Sequence, residues 1–363
     1  MPVCQQIFGE MEINSVQRPT WGNLESVTHY PSTLPLENGA ALIITGSLMS
    51  NPYDRGLTRN DVCPVQLVYK HEVRAIPYFQ NIGTLGISSL ALPPVLDQVS
   101  EIFFSAGNDV FSINIANKTT KAHANNITFI DVHEIILSGD QLLIANTGRD
   151  EAVIYSTIDS RSRNIIQLAQ FRTRSHSYIP DATSHIFDHF HLNQTFRDIN
   201  GTLHALVHHV NGRQLLRKVI GGVVKSHGDG GLINLETGTP LDLALNAPHS
   251  VRIYRDNYIV LNSGALEMVQ YSSDWQKLRA FPTAGWGRGL AIHNDTAYIG
   301  ISPIRKRYQP FSRRVPGEAS LLAINLQTGV TIGRLSLKNI EQVNNVYCVD
   351  HSIADALLSL DAF

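Results

Sequence analysis

The segments His133–Gly148 and His249–Gly264 can be laid on each other without a gap, 116 residues apart. Each begins with His, runs through an apolar strand, a polar turn and a second apolar strand, and ends in Asn-(Thr/Ser)-Gly. A third copy opens with His191, 58 residues from either one. A period of this length restricts the chain to a repeat architecture, because one unit cannot bury its apolar face alone and must stack on its neighbours.

The unit itself reads as β-structure. Short runs of Val, Ile, Leu, Tyr and Phe are broken by Gly, Asn, Asp or Pro every 8 to 12 residues, which is the pattern of successive strands. In the clearest copy, four strands fall at 131–138, 140–147, 151–158 and 164–171, with a tight hairpin at Ser138-Gly139-Asp140. Further units start at Phe187, His249 and Gly287. Upstream, strands near 84–90, 101–104, 109–113 and 121–123 form a second unit, and a first lies between Val27 and Tyr78. Val343 to Val349 reads as one more inner strand, with Gln5 to Glu12 completing its sheet. Helix-like patches are confined to 242–246 and 353–360.

Four-stranded units repeating around a ring define an all-β β-propeller, here a single domain over 1–363. Counting inner strands predicts seven blades, with six as the alternative. Pairing of N- and C-terminal strands would close the ring and protect its edges.

Bulk properties narrow the function. The formal net charge is -2 and the basic residues form no long run, so neither nucleic acid nor a membrane surface is indicated. Cys4, Cys63 and Cys348 have no C-x-x-C spacing, which argues against a disulfide framework and a structural zinc site. Residues 1–15 contain Glu10 and Glu12 and no apolar run. No segment reaches the ~18 apolar residues of a membrane span. The expectation is a cytoplasmic protein.

Propeller register brings the start of each inner strand close to the end of the strand beside it, at one mouth of the central channel. His133 is thereby expected beside Asn146 and Arg149, His249 beside Asn262 and Ser263, His191 beside His208 or His209, and Arg288 beside Ser302. Three neutral imidazoles from consecutive blades, His133, His191 and His249, would suit a divalent Mn, Fe, Ni or Zn with open positions. A histidine in this turn can equally serve only to tie neighbouring strands. Arg149, Arg252, Arg288 and Arg305 fall near the same strand ends, and a guanidinium fork recognises carboxylate, sulfate or phosphate. Glu341 and Glu318 are candidate acids. No phosphate-binding loop and no G-x-S-x-G elbow occurs.

The order His133-Glu134-Ile135, Asn146-Thr147, His191-Leu192-Asn193, Pro248-His249-Ser250-Val251-Arg252, Ser263-Gly264, Arg288-Gly289-Leu290 and Ile299-Gly300-Ile301-Ser302 resembles a bacterial family of predicted β-propellers of unknown function. Its members are often encoded near polysaccharide or sulfotransferase-like genes. The resemblance implies the fold and the location of the site, and implies no activity. Glu134, Gln194 and Val251 stand where the family pattern has Asp, Gly and Pro.

Two functions follow as expectations. The first is an enzyme acting in the central funnel on a small anionic substrate, including a sugar acid, by lyase, isomerase or hydrolase chemistry. His191, Arg288 and Glu341 would be catalytic. Asn146, Arg149, Asn193, His208, Arg252, Asn262 and Ser263 would bind substrate, and His133, His191 and His249 would hold the metal. The second is a non-catalytic propeller that binds a carbohydrate, peptide or protein partner at the same mouth.

Overall fold

The computed structural model describes residues 29–37, 39–48, 62–81, 86–93, 101–123, 127–159, 163–171, 188–212, 228–303 and 318–360. The first sheet begins with β1 (His29–Pro31), β2 (Ala40–Ser47), β3 (Val65–Tyr69) and β4 (Glu72–Ala75). Five four-stranded repeats of the same plan follow in chain order. Blade two is β5 (Ile87–Ala91), β6 (Glu101–Ala106), β7 (Asp109–Asn114) and β8 (Thr119–Ala122). Blade three is β9 (Val132–Ser138), β10 (Gln141–Asn146), β11 (Glu151–Ser156) and β12 (Arg163–Gln167). Blade four is β13 (Leu192–Arg197), β14 (Leu203–Val207), β15 (Gly230–Asn234) and β16 (Pro240–Leu245). Blade five is β17 (Pro248–Tyr254), β18 (Asn257–Asn262), β19 (Glu267–Tyr271) and β20 (Lys277–Pro282). Blade six is β21 (Trp286–His293), β22 (Thr296–Ser302), β23 (Ser320–Asn325) and β24 (Thr331–Ser336).

The last strand, β25 (Gln342–Asp350), returns to the first sheet and pairs antiparallel with β2, Leu42 opposite Cys348 and Ile44 opposite Val346. The described residues therefore form six blades, not seven. The tail strand and the first unit, counted separately in the sequence, are one sheet of order β1-β4-β3-β2-β25. Pairing of terminal strands does close the ring, through β2 and β25. The expected strand at Gln5 to Glu12 lies outside the described residues.

Burial is greatest in the second strand of blades three, five and six and falls toward the outermost, which explains the apolar runs. β10, β18 and β22 are buried along almost their whole length because both faces pack on neighbouring blades, whereas β12, β16 and β20 are mostly exposed. Each interblade layer is aliphatic and aromatic; Ile43, Leu67, Ile102 and Phe104, for instance, fill the space between blades one and two. Each such side chain contributes roughly 1.5–3 kcal/mol by leaving water. The patch 242–246 is not helical. Asp242 pairs with Gly231 in β16, so sheet pairing overrides its local helix propensity. The C-terminal patch is helical, as α1 (His351–Leu358), docked through Ile353, Ala354 and Leu357.

Candidate functional site

All six inner strands, β5, β9, β13, β17, β21 and β25, carry one extra residue just inside the same mouth. The register slips past Ser88, within His133-Glu134, at Asn193, at Ser250, within Arg288-Gly289 and at Asn344. A β-bulge of this kind re-aims side chains. Here it places His133, Asn193 and Arg288 at or within bulges in three different blades.

The histidines converge. Ring centroids lie 5.1 Å apart for His133 and His191, 6.4 Å for His133 and His249, 4.1 Å for His191 and His208, and 5.5 Å for His208 and His249. Trp286 stands 6.2 Å from His249 and walls the cluster. His208, paired in expectation only with His191, thus belongs to a four-imidazole group.

Hydrogen bonds orient three of these rings in the same way. Asn193 gives its amide hydrogens to the Pro248 carbonyl, so its Oδ1 faces His133 Nδ1 at 2.6 Å and accepts from it. His191 Nδ1 lies 2.8 Å from Asp188 Oδ1. His249 Nδ1 is 3.0 Å from the Ala247 carbonyl and 2.9 Å from Ser263 Oγ, whose own hydrogen goes to the Gly287 carbonyl at 2.6 Å. Nδ1 of His191 and of His249 therefore donates into the wall, leaving Nε2 as the acceptor, whereas His133 has an oxygen acceptor at each ring nitrogen, Asn193 Oδ1 and Asp131 Oδ2. His208 Nε2 is buried with no hydrogen-bond partner among the described residues.

Burial, reinforced by Arg288 and the neighbouring imidazoles, pushes His249 well below the usual histidine range. Burial and then His191 do the same to His208. Asp131, whose Oδ2 sits 3.3 Å from His133 Nε2, is also lowered, but by neighbouring charge rather than by burial. His133 above all holds its carboxyl below the usual carboxylate range, and His191 and Arg288 add to this. Arg288 is thus electrostatically part of the cluster, and its Nη1 reaches Gln342 Oε1 at 3.4 Å.

Other expected site residues have different work. Asn146 accepts the Ile130 N–H at 2.8 Å and donates to Glu151 at 2.8 Å. Asn262 repeats this with the Asn246 N–H at 2.7 Å and Glu267 at 2.8 Å. Both carboxamides tie the interblade loop to the third strand. Ser263 likewise spends its hydroxyl on His249 and Gly287, so it positions a histidine. Arg149 is paired with Glu151 at 2.8 Å, which fixes it outside the imidazole group. Arg252 lies three residues deeper along β17 than His249 and bonds Glu134 at 2.8 Å. Glu341 stands one residue before β25, at the mouth end, with its N–H on the Ser47 carbonyl. Arg305 lies outside the described residues.

Sequence reasoning missed Asp131, Asp188 and Asp150. The first two precede His133 and His191 by two and three residues, in turns that the repeat does not conserve in spacing. Asp150 is buried and accepts the backbone N–H groups of His189, Phe190 and His191. Among the described residues, no three His, Cys, Asp or Glu side chains are arranged to hold a metal ion. No helix among them is long and apolar enough to cross a membrane.

These features define a six-bladed β-propeller with a histidine-rich mouth. The chain belongs to the DUF4915 family, a domain of unknown function, whose model matches residues 121–357. No curated protein matches the sequence. Among solved structures, a chain of the nidogen/laminin complex is similar at 8% identity and a TM-score of 0.55, over 86% of this chain and 98% of that one. This likeness is one of fold. A Bacteroides caccae protein of unknown function aligns at 13% identity and TM-score 0.49 over 86% and 99% of the two chains. A luciferin-regenerating enzyme aligns at 11% identity and TM-score 0.46 over 71% and 78%.

Proposed function

We propose that the four-histidine mouth is the active site of an enzyme that moves a proton on a small anionic substrate, including a sugar acid. The observation that carries this reading is the Asp188–His191 pair at 2.8 Å. A carboxylate on Nδ1 fixes the tautomer, stabilises the imidazolium that forms, and leaves Nε2 to accept a proton. His208 and His249, kept neutral by burial, would not repel that imidazolium as cations would. Arg288 would hold the substrate carboxylate. Proton abstraction beside that carboxylate is the shared first step of lyases and isomerases.

A second reading has a divalent metal on Nε2 of His133, His191 and His249, which would have to draw together around it, since no such group is preformed among the described residues. It is favoured by the anchoring of each Nδ1 on a protein oxygen, the usual support of histidine ligands. The third possibility is binding of a carbohydrate, peptide or protein partner without turnover.

One experiment separates the three. The purified protein is analysed for Mn, Fe, Ni and Zn, and then incubated in D2O with a panel of hydroxy and sugar acids followed by proton NMR. Deuterium uptake beside the carboxylate, lost in His191→Ala and retained without metal, supports the proton-transfer reading. About one equivalent of metal, lost in His191→Ala, supports the second. Ligand binding with neither property leaves the non-catalytic reading.

A further inference from the structure

The far end of the channel holds a separate cavity of about 570 Å³, lined by the later residues of all six inner strands. We propose that it binds a small apolar zwitterion, of the chemistry of a free aliphatic or aromatic amino acid. The volume falls in the range of small-molecule sites, roughly 300–1,000 Å³.

Its walls and its floor differ in character. Leu92, Ile136, Leu137, Ile253 and Ile292 line it and remain partly exposed, Ile253 by 46%. Apolar surface left open inside a concavity is what a ligand's apolar body would cover. The floor is an ion pair strung across the axis. From blade five, Arg252 Nη2 reaches Glu134 Oε1 of blade three at 2.8 Å and Asn345 Oδ1 of blade one at 3.3 Å. The guanidinium is therefore held by three alternate blades.

A partly buried ion pair is a weak source of stability, since desolvation offsets much of the Coulomb attraction. This one also leaves bonding capacity over. Arg252 Nη1 bonds the Val251 carbonyl, while Nε and Glu134 Oε2 make no hydrogen bond among the described residues. Both residues line the cavity. A cationic donor and an anionic acceptor side by side match a ligand bearing a carboxylate and an ammonium together. A simple acid would face Glu134, and a simple amine would face Arg252. The zwitterion alone satisfies both without leaving a like charge opposed.

The test is calorimetric titration of the full-length protein with L-leucine and L-phenylalanine. The comparison ligands are N-acetyl-L-leucine, L-leucinamide and glycine, which lack the ammonium, the carboxylate and the apolar body. Leucine or phenylalanine is expected to bind, with each comparison ligand weaker by about tenfold or more, the usual worth of one charge-assisted bond. Glu134→Gln/Arg252→Gln, which replaces the ion pair by a neutral amide pair, should lower leucine affinity by a similar factor. His191→Ala should leave it unchanged, which separates this site from the histidine mouth. The proposal is overturned by absence of binding at millimolar leucine and phenylalanine, or by comparison ligands that bind as well. If the double variant does not fold, the comparison ligands on the wild-type protein decide alone.

Discussion

Asp150, in the turn after β10 of blade three, clamps the backbone of His191 at the entry to blade four. Its Oδ1 accepts the His191 N–H at 3.0 Å, and its Oδ2 takes those of His189 and Phe190. His191 sits at φ +53°, a left-handed conformation that costs of order 1–3 kcal/mol unless its surroundings impose it. Asp150 is one such constraint.

Replacing this carboxylate should both destabilise the fold and change its pH dependence. Burial raises the Asp150 carboxyl to about 7, against the lowering effect of its hydrogen bonds. With the folded value above the unfolded one, its contribution is greatest below the unfolded range near 3.8 and is lost as pH rises through about 7. Denaturant titrations at pH 5 and pH 8 should show this slope in the wild type, and Asp150→Asn should flatten it. The same variant should cost about 1–3 kcal/mol at pH 5 by leaving buried N–H groups badly paired. An unchanged slope would remove Asp150 as its source.

The buried imidazoles titrate in the opposite sense. His208 and His249 are both held below the usual range, so the native state resists protonation while the unfolded chain accepts it near 6.5. Their contribution is present above that value and lost as pH falls below it. Nitrogen chemical shifts of ¹⁵N-labelled histidine side chains should report both rings as neutral at pH 6. A protonated signature for either would contradict the described packing.

The paired asparagine ties yield a test of additivity. Asn146→Ala and Asn262→Ala should each cost about 1–3 kcal/mol, because each strands a loop N–H and a glutamate partner, Glu151 or Glu267. They lie in different blades and share no partner, so the double variant should sum within about 0.5 kcal/mol. Urea melts of the four proteins measure this. Strong non-additivity would mean that the ties act through a common element.

Gly289 has a steric reason to be glycine. It takes φ +76°, and a Cβ there would sit 2.5 Å from Asn345 Cα on the adjoining inner strand. Gly289→Ala is expected to cost about 2 kcal/mol or more and to displace the neighbouring Arg288. A melting temperature within about a degree of wild type would show that β21 and β25 can separate freely.

Much of this arrangement was legible from the repeat. The equal spacing of His133, His191 and His249 anticipated their convergence, and the register anticipated His208 or His209 beside His191, of which His208 is the one in contact. The blade number was less accessible. Pairing of Ala40 with Asp350 joins residues far apart in the chain, and no local pattern announces it. The same limit hid the roles of Asn146 and Asn262. Their position at a strand end is common to a substrate ligand and a tie, and only the partners Glu151 and Glu267 distinguish them. Asp131 and Asp188 lie in turns, where side-chain direction depends on backbone angles that composition does not encode.

Because β25 is the inner strand of blade one and follows every intervening blade in the chain, the ring cannot close until blades two to six have been made. Until then β2, a strand buried along almost its whole length, has an open edge where β25 will lie, and an edge of that kind invites pairing with other chains. In the closed ring that edge is covered by β25. Newly made protein should thus be most prone to aggregation, and most dependent on chaperones, in the interval before β25 emerges and pairs.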